Sequence, residues 1–245
     1  ERVGTTNDFV LKLKGAQKFA WEEVQAAIKQ GAKYKVAGVF NFVHISPKTV
    51  NVKLVPTSSV VNVSNKIAEI KAIYNQLAID VQIDVEEPFD IATYLVNDKL
   101  PTEDHLGDLS TYSPAQNAII DAFTKAPGRT MQQAYYLFVT DKEASNGQDG
   151  YMRLNNQVGF IFSNTAHTIA HELGHGAFKL EHPFKQYKNK GLAKNTTQGL
   201  MDYAGGTDLL FTDWKQINDP AFKLYAFQGQ SDGEFNDGYA IAPDY

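Results

Sequence analysis

Residues 164–182 read NTAHTIAHELGHGAFKLEH, and four of the chain's six histidines, His167, His171, His175 and His182, fall inside this stretch. Ile169 and Leu173 supply an apolar side at helical spacing, which predicts a helix beginning near Asn164. On a helix, residues four apart differ by roughly 40° in direction and about 6 Å in height, so His171 and His175 project from one face and can share one ion. Glu172 points about 100° away, beside such an ion and not on it. A carboxylate there can take a proton from a water whose pKa a divalent metal has lowered toward about 7. His-Glu-x-x-His alone also fits a solvated helix. Gly174 and Gly176, however, each cost about 1 kcal/mol relative to Ala in a helix interior, which a purely structural helix has little reason to carry.

A catalytic zinc takes three protein ligands and leaves a fourth position to water, so a third donor is needed beyond His171 and His175. Glu181 and His182 are the candidates. A continuing helix would carry His182 about 10 Å past His175, too far for metal bonds of about 2 Å, so the chain must turn, and Gly176 is one place for it. Pro183 favours extended backbone at His182, where neighbouring side chains point to opposite sides, so only one of Glu181 and His182 can face the ion. Nitrogen donors suit zinc, which favours His182, while Glu181 keeps a claim. His167, one turn earlier, would lie about 12 Å from His175 and belongs to the helix start or a supporting role. His44 and His105 stand alone.

Working outward, NQVGFIF (156–162) reads as an apolar-polar edge strand that can hold an extended substrate by backbone pairing. Before it, DKEASNGQDG (141–150) reads as a polar loop and AYYLFVT (134–140) as a buried central strand. Pro114 opens a helix, AQNAIIDAFTKA, that stops at Pro127-Gly128. TVNVKLV (49–55) and VQIDV (81–85) are strands flanking a helix, NKIAEIKAIYNQL, that Ser64 can cap. The order strand, helix, strand, helix, strand, strand, helix implies an α/β sheet with helices packed on it. Nearer the start, residues 16–30 place Phe19, Val24, Ala27 and Ile28 on one helical face with Gly31 as the stop, and YKVAGVFNFVHI reads as one strand or two short ones. Residues 1–46 are expected to be an appendage of unknown role, and 228–245 a loosely packed tail.

A 43% hydrophobic content over 245 residues excludes disorder of the whole chain. The net charge of −5, with no dense Lys/Arg block, argues against a partner held by electrostatics alone, whether nucleic acid or anionic membrane. No apolar run approaches the roughly 18 residues of a membrane span. Without cysteine no disulfide can staple the fold, which leaves its core and a metal to hold it. The first residue is Glu1, so we expect the chain to be part of something longer.

HTIAHELGHGAFKLEHP (167–183), followed by NTTQGLMDYAGGTD (195–208), resembles the zincin-like metallopeptidase domains at the C-termini of bacterial polymorphic toxins, and it also looks like a metzincin. The match runs through Leu180, His182 and Leu200–Tyr203. It covers about residues 163–206. The resemblance implies a zincin-like fold over 47–245: a mixed twisted sheet with an antiparallel edge strand, a helix carrying the His-Glu-x-x-His motif, and a small irregular C-terminal subdomain, with upper and lower parts meeting at 176/177. It implies a Zn2+ ion on His171, His175 and His182, catalysis by Glu172, a methionine turn at Met201, and Tyr203 placed to reach the metal or the developing oxyanion. Metzincins proper put the third ligand one residue earlier, which is what leaves Glu181 in play. A further implication is a zinc endopeptidase acting on a protein or peptide, secreted or delivered into another cell from a longer bacterial protein and restrained by a cognate inhibitor protein. The alternative is a zincin-fold binding or structural module without activity.

Overall fold

A computed structural model of the chain describes residues 21–102, 111–186, 191–218 and 234–235. The chain divides into two units, Glu1–Ser46 and Pro47–Tyr245. His105, most of the tail and residues 16–20 of the expected first helix lie outside the described residues.

In the first unit, β1 (Trp21–Gln30) and β2 (Lys33–Val43) form an antiparallel hairpin. The expected helix over 16–30 is thus corrected to a strand from residue 21. Val24, Ala26 and Ile28 also alternate with period two, so the apolar spacing fits a strand as well as a helix. The partner β2, rich in β-branched and aromatic residues, decides between them. Gly31 does not stop a helix: with φ 62° it is the first residue of the two-residue hairpin loop.

The second unit runs β3 (Lys48–Pro56), α1 (Ile67–Asn75), β4 (Ile79–Val85), β5 (Lys99–Leu100), α2 (Pro114–Lys125), β6 (Tyr135–Val139), β7 (Glu143–Ala144), β8 (Gln148–Met152), β9 (Val158–Ile161), α3 (Ala166–Phe178), α4 (Pro183–Gln186), α5 (Phe211–Asn218) and β10 (Glu234–Phe235). A mixed six-stranded sheet has the order β10-β8-β9-β6-β3-β4, with β9, β6, β3 and β4 parallel and β8 and β10 antiparallel to their neighbours. This is the expected α/β architecture with its antiparallel strands at one side. No described helix is long and apolar enough to cross a membrane.

The continuous run YYLFV of β6 is central because both of its faces are covered. Tyr136 and Phe138 join Phe160, Ile119 and Phe123 in a core beneath α2, while α3 packs on β6, β8 and β9 from another element of the same unit. α2 starts where Ser113 caps it: the Ser113 side chain accepts from the Gln116 N–H, and Gln116 answers by accepting from the Ser113 N–H. Ser64 does not cap α1 as expected. It opens a 3-10 turn, Ser64–Lys66, that precedes Ile67, and its N–H donates to Asn62 Oδ1.

Two expectations about strands change. The polar segment 141–150 contains β7 and the start of β8, and NQVGFIF is not an edge: β9 lies between β6 and β8 with all four of its residues buried. Gln-Asp-Gly, which opens β8, looks like a loop by composition. Ladder bonds to β9 override that preference, and Gln148 is itself buried.

Candidate metal centre

α3 carries the motif and is buried almost all round; of its thirteen residues only His167 and Ala177 escape full burial. Thr165 caps its start by accepting from the Thr168 N–H at 3.0 Å. It ends not at Gly176 but at Lys179, in left-handed geometry with φ 61°. There the Lys179 N–H donates to the His175 carbonyl and the Leu180 N–H to the Gly174 carbonyl, so the reversal satisfies the orphan carbonyls of the last turn. Gly174 and Gly176 have packing reasons. An added Cβ at Gly174 would lie 2.9 Å from Met201 Sδ, and one at Gly176 would overlap the thioether of Met152 and approach the Asn156 carbonyl at 2.8 Å.

The reversal at Lys179 brings His182 back against the helix. One donor atom from each of His171, His175 and His182 lies within 4.8 Å of the others, and all three side chains are at most 1% exposed. Glu181 is not in this group, and neither is His167, whose ring sits 5.9 Å from that of His171. His44 is in the first unit, with its ring edge-on to Phe42. His175 Nε2 is 3.0 Å from His171 Nε2, which is 3.1 Å from His182 Nε2.

The far side of each helical imidazole is engaged by backbone. His171 Nδ1 is 2.8 Å from the Leu200 carbonyl and His175 Nδ1 2.6 Å from the Leu180 carbonyl. A ring nitrogen facing a carbonyl must donate, so both rings carry a proton on Nδ1 and turn their Nε2 atoms toward each other. Burial first, and then the neighbouring His171, hold His175 well below the ordinary histidine range; burial followed by His175 and His171 does the same to His182. A metal ion binds imidazole through an unprotonated nitrogen, and here the Nε2 atoms are the ones left facing each other, at 3.0 Å. Tetrahedral zinc with bonds of about 2.0–2.1 Å sets nitrogen donors about 3.3 Å apart, so this buried set fits that ion with adjustments of a few tenths of an ångström.

Glu172 is 1% exposed and faces β8: an added Cβ at Gly150 would lie 2.6 Å from its Oε1. Gly150 is therefore the bare strand position that gives this carboxylate its room. Tyr203 lies in the same aromatic layer, its ring 4.9 Å from His182 and 5.3 Å from Phe184. Phe184 stacks on His182 at 5.1 Å with planes 6° apart, and the Lys194 ammonium sits 5.2 Å over the Tyr203 ring. The turn bearing Leu200 and Tyr203 is pinned by buried Asp202, whose carboxylate accepts from the backbone N–H groups of Asn195, Thr196, Thr197 and Tyr203.

The three imidazoles, Glu172 and Tyr203, all named from the sequence, are thus gathered along one helix and the returning chain. Gly150, Phe184 and Asp202 were missed. Asp202 had a legible signal, an acid beside an Asn-Thr-Thr turn segment whose amides need an acceptor. Gly150 had none, because its role depends on which helix residue lies opposite.

No protein-family model matches the chain, and no curated protein matches it. Among solved structures it is similar to an archaemetzincin from Methanopyrus kandleri, at 13% identity and TM-score 0.41, covering 73% of this chain and 92% of that one. It is also similar to metalloproteinase-II from Bacteroides fragilis, at 14% identity and TM-score 0.43, covering 72% of this chain and 54% of that one. Likenesses this loose leave the chemistry to be decided by the site's own atoms.

Proposed function

We propose that this chain is a zinc-dependent peptidase in which His171, His175 and His182 hold the ion and Glu172 is the general base. The observation that carries the reading is the convergence of three buried Nε2 atoms at 3.0 and 3.1 Å, with two of the rings oriented by backbone carbonyls. A bound zinc supplies Lewis acidity and lowers the pKa of a coordinated water toward about 7. Glu172, one residue beyond His171 and screened from solvent, takes the proton of the attacking water and passes it to the leaving amine. The Tyr203 hydroxyl donates to the oxyanion that develops on the scissile carbonyl. With β9 paired along both sides, the strand that aligns an extended substrate is β8, whose outer side meets only the two-residue β10 and whose Gly150 adjoins Glu172.

Metal content and hydrolysis of a peptide mixture, measured for wild type, Glu172→Gln and His182→Ala, test this. Wild type and Glu172→Gln each retain one zinc per chain, hydrolysis falls by at least about a hundredfold in Glu172→Gln, and His182→Ala loses the metal. Undiminished hydrolysis by Glu172→Gln removes it as base. A zinc-loaded wild type that retains no metal sinks the reading as a whole.

The finer proposal is a secreted or delivered effector restrained by an inhibitor protein, and the resemblance of residues 167–183 and 195–208 to toxin-borne domains supports it. Wild type produced inside a recipient cell then arrests growth while Glu172→Gln does not; harmless wild type ends the effector proposal.

A further inference from the structure

β8 pairs with β9 on its inner side, Gly150 opposite Ile161. The Asp149 carbonyl accepts from the N–H groups of Phe162 and Ser163, both at 2.8 Å, so it points toward β9. The Gly150 N–H belongs to the same peptide unit and therefore points the other way, to the outer edge of the sheet. β10 lies along that edge: it runs antiparallel to β8 with Glu234 opposite Gly150 and Phe235 opposite Gln148. Residues 219–233 separate it from the end of α5. Gly150 is also the residue against which Glu172 rests. One glycine thus joins the outer edge of the strand to the candidate base.

We propose that the outer edge of β8 is a peptide-pairing surface and that its resident occupant is this chain's own segment at Glu234–Phe235, an intramolecular strand that an extended substrate displaces. A strand edge with outward N–H and C=O groups is a template for another strand, and a folded protein keeps such an edge covered. The cover here is short. It spans two residues with an irregular register between them, and each net backbone hydrogen bond shifts an equilibrium by roughly two- to tenfold. Belonging to the same chain gives the segment an advantage over a free strand that must be met from solution. A cover of that strength excludes casual strands and yields to a longer peptide that pairs along more of β8. The partner class is therefore an unfolded or extended polypeptide, since a helix has no backbone groups left to offer. The inference rests on the peptidase reading only where it speaks of substrate.

The test uses the full zinc-loaded chain with Glu234→Pro and, separately, Phe235→Pro, each of which deletes a backbone N–H from β10. Hydrogen exchange at the Gly150 amide, measured without peptide, speeds by about tenfold in at least one of them, and KM for an extended peptide falls roughly two- to tenfold with kcat unchanged. Glu234→Ala keeps its N–H and leaves both quantities at wild-type values. A thermal midpoint within a few degrees of wild type shows that each variant is folded. Exchange at Gly150 unchanged in both proline variants overturns the proposal. Faster exchange with an unchanged KM also overturns it, because the substrate then pairs elsewhere, and an Ala variant that behaves like Pro removes the backbone argument. If wild type hydrolyses no peptide, the peptidase reading fails on its own, and exchange at Gly150 still decides whether β10 holds the edge.

Discussion

The histidine cluster and the Asp202 turn are both buried and both polar, and they differ in what their polar atoms face. Asp202 Oδ2 accepts from the N–H groups of Thr196 and Thr197 and from the Thr197 hydroxyl, and Oδ1 accepts from Asn195 and Tyr203. Desolvation alone would push its carboxyl up. The N–H groups of Thr197, Asn195 and Tyr203 outweigh that and hold it below the usual carboxylate range. At the histidines burial disfavours the charged forms of His175 and His182, and the Nε2 atoms of both rings face His171 Nε2. A buried acceptor that collects donors is scaffolding, whereas three converging ring nitrogens, two of them on rings oriented by backbone carbonyls, are a donor set for a cation. The two centres are also mechanically joined, because the turn that Asp202 pins presents the Leu200 carbonyl to His171.

The comparison breaks first at His175. His175→Ala removes one of the three donors, and the expected result is loss of bound zinc, seen by metal analysis, together with loss of hydrolysis. Full zinc occupancy in that variant would mean that the cluster is not the ion's site. The next effect is smaller and of another kind. Asp202→Ala leaves the part-buried N–H groups of this turn without their acceptor, and we expect a loss of about 1–3 kcal/mol in urea unfolding. Freed of its pin, the Leu200 carbonyl orients His171 less well, and zinc affinity in a competition titration drops by about ten- to a hundredfold. Loss of stability with zinc affinity unchanged would show that the two centres are independent.

What could be read from the sequence was what is local. The period of His171, Glu172 and His175, the helix opened by Pro114 and the apolar run Tyr135–Val139 are each decided within a few residues, and the structure has them as expected. The misread strands share one cause, a dependence on the strand that pairs beside them. Val24, Ala27 and Ile28 satisfy a helical period until β2 pairs with them. NQVGFIF looks like an edge until the polar segment before it, Gln148–Met152, takes the place beside it. The orienting partners of His171 and His175 are the carbonyls of Leu200 and Leu180, and a backbone carbonyl leaves no side-chain signature. The helix reversal was expected at a glycine and falls at Lys179, where two backbone hydrogen bonds offset the cost of a left-handed lysine.

A second carboxylate sharpens the contrast with Asp202 and gives the smallest of the expected effects. Asp213, on α5, is 6% exposed, and burial pushes its carboxyl up to about 6 against one opposing hydrogen bond from the Leu210 N–H. The unfolded chain titrates such a group near about 3.9, so between about pH 4 and 6 the folded state binds a proton that the unfolded state lacks. Stability from this group therefore falls as pH rises through that window and is level above it. Asp202 has the opposite sign: it contributes above its unfolded pKa and loses that contribution as pH drops below about 4. Asp213→Asn keeps an oxygen for the Leu210 N–H and removes the titration. A carboxyl displaced from about 3.9 to about 6 sets a ceiling of about 3 kcal/mol, and relaxation around the charge brings the expected gain at pH 7 to about 1–2 kcal/mol. Near pH 4 the two chains should unfold at nearly the same urea concentration, and the histidines, common to both, cancel in the difference. A gain of equal size at both pH values would mean that the variant acts through packing, and that Asp213 is not the charged counterpart of the satisfied Asp202.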